Sequence, residues 1–146
     1  MVETPPRWAS PAAMKRISVA VMSLVAVGAL TGCGSTDREQ AASAAAVRLL
    51  TAVDGKDGAA ACAVLAPDTA SEVEQSGGKP CAEAILDENL PKPGAVTASQ
   101  VYGHWAQVHL SDDTVFVAVF PGGWRVVAAG CSAQGDRPYD CTVQGG

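Results

Sequence analysis

Apolar positions along this chain change their spacing from one region to the next, and each spacing marks a different kind of segment. Residues 17–30 form an almost unbroken apolar run, ISVAVMSLVAVGAL. From Gln40 to about Leu90 the apolar residues recur at helical spacing. Val47, Leu50 and Val53 share one face of a helix predicted over 40–53, with Thr36 and Glu39 in the arrangement of a capping box ahead of it and Asp54-Gly55 closing it. Asp57 is placed to cap a second helix over 58–66, which carries Cys62, Val64 and Leu65 and stops at Pro67. A short third helix is predicted over 69–76, ending at Gly77-Gly78. A fourth is predicted over 81–90, with Pro80 in its first turn and Pro91 beyond its end.

After Pro91-Lys92-Pro93-Gly94 the period falls to two. Segments 96–102, 104–110, 114–120 and 124–129 read as strands, separated by Gly103, by Ser111-Asp112-Asp113 and by Pro121-Gly122-Gly123. Such short turns predict antiparallel neighbours. The third segment, TVFVAVF, is apolar on both faces and is expected to be central and covered on both sides. In the second, Ala106, Val108 and Leu110 lie on one face and Trp105, Gln107 and His109 on the other. Helices followed by a meander predict an α+β fold, with N-terminal helices packed on a bent four-stranded antiparallel sheet and 41–146 as a single domain.

Ahead of the domain, Met14-Lys15-Arg16 precedes the apolar run and Leu30-Thr31-Gly32-Cys33 follows it, the order of a secretory leader. The run would span about 21 Å as a helix, short of the roughly 30 Å hydrocarbon core, so it is a poor permanent membrane span. Leu30-Thr31-Gly32-Cys33 resembles the lipobox of bacterial lipoproteins. That resemblance implies a signal peptide over 1–32 and cleavage by signal peptidase II just before Cys33; residues 1–13, with Pro5, Pro6 and Pro11, read as an over-long start ahead of a translation start at Met14. The Cys33 thiol would carry a diacylglyceryl group that holds the protein on the extracytoplasmic face of the cell membrane. Two or more acyl chains suffice for stable anchoring. The small polar segment 34–40 is expected to be a tether reaching at most about 25 Å from the lipidated cysteine.

Composition narrows the function classes. The chain is 48% hydrophobic with a net charge of −5, which fits one folded unit. Residues 33–146 carry 7 Lys+Arg against 14 Asp+Glu, a net charge of −7, so this body has no electrostatic grip on nucleic acid. Of 5 cysteines, lipidation of Cys33 leaves an even number, with three pairings open. Cys62 and Cys81 fall in the helical half, Cys131 and Cys141 in the tail, and these are the expected disulfides. No Cys-x-x-Cys occurs, neither histidine has ligand-like spacing to a cysteine, and no metal or cofactor is predicted.

The order of elements over about 40–131, ending in Gly123-Trp124-Arg125-Val126, resembles the NTF2-like (cystatin-like, α+β cone) superfamily. That resemblance implies a bent sheet curled around an N-terminal helix, leaving a pocket. The cysteine spacing and the tail GDRPYDC also resemble actinobacterial lipoproteins, and 27 alanines suit a GC-rich genome. His104 shares parity with Ala106, Val108 and Leu110 and so is expected at the cone mouth. Some NTF2-like enzymes of the SnoaL type use a pocket histidine with an aspartate as general acid and base. Here the partner would be Asp112 or Asp113, both expected in a hairpin turn. Trp105 and Trp124 are candidates for lining a pocket or a contact patch. Arg137 and Tyr139 are candidates for contact on a tail loop, 132–140, clamped between Cys131 and Cys141. No nucleophile elbow, phosphate loop, His-Glu-x-x-His or dinucleotide fingerprint is present. The expectation is a non-enzymatic module that binds an envelope protein or a small apolar ligand, with the SnoaL-like enzyme as alternative.

Overall fold

The computed structural model describes residues 33–145. The leader expected over 1–32, with its start at Met14, lies outside the described residues.

Helix α1 spans Cys33–Asp54. From Arg38 onward it is rich in Ala, with Leu, Gln, Glu and Arg, which lose little side-chain freedom in a helix, and no proline interrupts it. Ala42, Ala45, Ala46, Leu49, Leu50 and Val53 recur on one stripe and all are buried. The segment 34–40, expected to be extended, is helical instead. At about 1.5 Å per residue it advances roughly 10 Å, less than half the reach of an extended tether. At the other end, the Lys56 N–H donates to the Val53 carbonyl at 3.0 Å and the Asp57 N–H to the Ala52 carbonyl at 2.8 Å. Lys56 has φ +59°, so a Schellman cap closes α1 with Lys56, not Gly55, in the left-handed position.

Helix α2 spans Gly58–Val64, and its first turn is held by the Asp57 carboxylate, which accepts from the Ala60 N–H at 2.9 Å, as the sequence predicts. Helix α3 spans Pro67–Gly77, and α4 is a single turn, Cys81–Ala84, followed by a 3-10 turn at Ile85–Asp87. The helix expected over 81–90 therefore ends early. Asn89 sits at φ +50°, and Leu90 precedes Pro91, a position that disfavours helix. Gly58 is dictated by packing: a Cβ there would stand 1.7 Å from the Ala82 carbonyl oxygen, where α2 meets α4.

The sheet is a meander in the order β1-β2-β3-β4-β5, every neighbour antiparallel: β1 Val96–Tyr102, β2 Trp105–Leu110, β3 Thr114–Phe120, β4 Gly123–Gln134 and β5 Arg137–Gln144. There are five strands, not the expected four. The segment 124–129 continues to Gln134, turns at Gly135-Asp136, and returns as β5, so 132–140 is a β-hairpin tip, not a loop. Cys131 and Cys141 face each other across β4 and β5 and are bonded, and Cys62 of α2 is bonded to Cys81 of α4. Both disulfide pairs are those expected.

One core joins all of this. The α1 stripe packs with Ala61, Val73 and Ile85 of the other helical turns onto Ala106, Val108, Val115, Val117, Val126 and Val143 of the sheet. The Leu65-Ala66 link between α2 and α3 extends the sheet, with the Ala66 N–H donating to the Val126 carbonyl at 2.8 Å.

β3 is central and, as far as Ala118, covered on both sides, but the second cover is not a helix. At Gly130, φ is +66°, and a Cβ would crowd the Thr142 hydroxyl at 2.7 Å and Leu90 at 3.0 Å, so the bend of β4 there requires glycine. The Asp113 carboxylate secures the bend by accepting from the Gly130 N–H at 3.1 Å and the Cys131 N–H at 2.9 Å. Beyond Cys131, β4 pairs only with β5, and this hairpin folds back across the sheet. The Tyr139 ring packs edge-on against Phe116 of β3 at 5.1 Å.

Candidate functional site

The strands run alternately between two ends of the sheet, and the expected site residues fall at both. The end where α1 begins carries the β1–β2 turn, with Tyr102, Gly103, His104 and Trp105, and the β3–β4 turn, with Pro121, Gly122 and Gly123. The opposite end carries the β2–β3 turn, with Asp112 and Asp113, while the β4–β5 hairpin lies back across the sheet.

His104 lies just ahead of β2 and is exposed. The strand begins at Trp105, and the His104 carbonyl accepts from the Val119 N–H at 2.9 Å. Parity along a strand has no meaning one residue before the strand starts. Asp113 lies at the far end of β2, about 20 Å away at roughly 3.3 Å per residue, so the structure does not bring His104 together with Asp112 or Asp113. Asp113 is itself buried, and burial raises its carboxyl above the usual range against the opposing pull of N–H donors from Gly130, Cys131 and Thr114. Its two oxygens are engaged by the main chain of the bend, which gives it a latch's role.

The interior expected to hold a pocket is filled. Leu49, Leu50, Val108, Val115, Val117 and Val126 occupy the space between α1 and the sheet, and all are fully buried. An open groove of about 490 Å³ lies instead on the flank of the molecule, between α1 and the edge strand β1, lined by Glu39, Gln40, Ser43, Val47, Val96 and Ser99 among others. The Ser99 hydroxyl donates to the Glu39 carbonyl at 3.2 Å and ties the two walls together. Among the described residues no group of three or more His, Cys, Asp or Glu side chains is arranged to hold a metal ion.

Tyr139, expected to be free for contact, is half-buried. Besides its packing on Phe116, its hydroxyl accepts from the Gln107 Nε2 at 2.9 Å, so the ring is committed to covering the sheet. Arg137 is exposed at the tip, with Nη2 3.4 Å from the Gln134 Oε1. His109 lies on the same sheet face as Gln107, with Nδ1 3.2 Å from the Thr114 hydroxyl.

The largest exposed apolar side chains gather at the end where α1 begins. Tyr102 and Trp105 are 61% and 57% exposed and stand opposite each other across the β1–β2 turn. Val119, also exposed, pairs with Trp124 beside the β3–β4 turn, and Trp124 packs half-buried against the core. Arg38 of α1 joins the two turns. Its Nη2 donates to the Gly103 carbonyl, and its guanidinium carbon lies 5.7 Å from the centre of the Trp124 ring. Sequence reasoning missed Arg38 because it fell in the expected tether. The available signal was its helical spacing to Ala42 and Ala45, which puts it on the same face of α1 as the buried stripe, one turn before that stripe begins. Neither a family model, nor a curated protein, nor a solved structure matches the chain.

Proposed function

We propose that this chain is a cell-envelope lipoprotein, anchored through lipid on Cys33 to the extracytoplasmic face of the membrane, whose α+β domain is a non-enzymatic interaction module. The observation that carries this reading is the order Lys15-Arg16, apolar run, Leu30-Thr31-Gly32-Cys33. The cysteines support it. Cys62–Cys81 and Cys131–Cys141 are paired, as suits an oxidising compartment, and Cys33 is the one cysteine outside those pairs. The likeness to NTF2-like domains rests on element order alone: helices first, then an antiparallel meander whose inner face receives α1. The groove between α1 and β1 and the exposed turn residues are the surfaces on which such a module would meet an envelope protein or a small apolar ligand.

Substitution of the anchoring residue tests the reading. In a bacterial host, the wild-type protein is expected in the membrane fraction and released only by detergent, whereas Cys33→Ala is expected to stay unprocessed at precursor size. A Cys33→Ala protein processed and distributed like the wild type would overturn the proposal.

A further inference from the structure

We infer that the end of the domain formed by the β1–β2 and β3–β4 turns rests on the lipid surface, with Trp105 and Tyr102 in the headgroup layer. This deepens the lipid-anchor reading and rests on it.

Three observations converge. The first is distance. Arg38 touches Gly103, and Cys33 opens the same helix five residues earlier, about 7.5 Å along the axis at roughly 1.5 Å per residue. Because the intervening chain is helical it has no slack to hold the domain away from an acyl group on Cys33. The headgroup layer is itself about 5–8 Å deep on each side of the bilayer, so these turns fall within its reach.

The second is side-chain chemistry. Tyr102 and Trp105 are, among the described residues, the two most exposed large hydrophobic side chains, and they lie side by side at this end. Tryptophan and tyrosine favour the membrane interface because an apolar ring and a polar tip are solvated there together. The Tyr102 hydroxyl donates to the Gln100 Oε1 at 2.6 Å, so its polar tip is engaged.

The third is charge. Residues 33–146 have a net charge of −7, yet residues 102–105 and 119–124 contain no Asp, Glu, Lys or Arg. The carboxylates nearest in sequence to the anchor, Asp37 and Glu39, flank Arg38 on α1. At the opposite end Asp112 is exposed. An acidic domain approaching an anionic leaflet meets least repulsion with its carboxylate-free turns foremost.

The test uses protein produced from the full chain in a bacterial host, extracted with detergent and reconstituted into phosphatidylcholine–phosphatidylglycerol vesicles whose acyl chains are brominated near the headgroup. Mass spectrometry of the same sample reads the lipid on Cys33. The expected result is a loss of tryptophan emission relative to unbrominated vesicles, and a marked reduction of that loss in Trp105→Phe, an exposed site where folding is retained. Lipidated protein whose emission is unquenched overturns the inference, leaves the anchor standing, and gives the turns to a protein partner. Quenching that Trp105→Phe leaves undiminished also overturns it, because Trp124 then carries the whole signal and the Trp105 ring does not meet the lipid. Protein without lipid on Cys33 overturns both readings.

Discussion

Asp113 shows how a single side chain can decide the course of a strand. Its carboxylate is buried because it serves two main-chain donors at the bend of β4, and those donors are left unpaired without it. Asp113→Ala should therefore cost about 1–3 kcal/mol in urea unfolding, the price of orphaned buried N–H groups. The pH dependence follows from the raised carboxyl. A folded-state value above the unfolded one means that the fold favours the protonated form, so the contribution is full below the usual carboxylate range and fades as pH climbs through the raised value. Measured against Asp113→Asn across that range, the wild type should be relatively most stable at the acid end. Lys56 makes the converse case. It occupies a left-handed position that a side chain disfavours, so Lys56→Gly should raise the urea midpoint, by about 0.5–1 kcal/mol in stability.

Among the elements, those with a strong local signature were legible in the sequence. The capping carboxylate of Asp57, the alternation in β2 and the apolar run of β3 each have a short-range cause, and the structure has them where expected. The errors fall where the cause is long-range. Residues 34–40 look like a linker because they are small and polar, but Arg38 anchors them to Gly103 and Trp124, residues distant in the chain. β5 was hidden because its residues, RPYDCTVQ, alternate weakly and its pairing depends on the bend at Gly130. His104 was misplaced by one residue of strand boundary, enough to move it from an inward face to a turn. The cysteine pairs were legible because each joins residues close in sequence, separated by 19 and 10 positions. By loop-closure entropy each contributes about 3 kcal/mol. Replacing Cys62 and Cys81 together by Ala should lower the stability measured by urea by that order, while a loss near zero would show that α2 and α4 are held by packing alone.

For the whole molecule, the two ends of the sheet differ in kind. One end holds the start of α1, the Arg38 link and the exposed aromatic turns; the other holds the acidic β2–β3 turn. Between them the core is closed, with α1 filling the curve of the sheet. Such a polarity suits a domain held at one end and presenting the other, and that assignment depends on chemistry at one residue. Intact-mass and peptide mass spectrometry of the membrane-extracted protein test it most directly. The account predicts a polypeptide beginning at Cys33, with a diacylglyceryl group on that sulfur and with Cys62–Cys81 and Cys131–Cys141 oxidised. An unmodified Cys33, or free thiols at the other four cysteines, would contradict it.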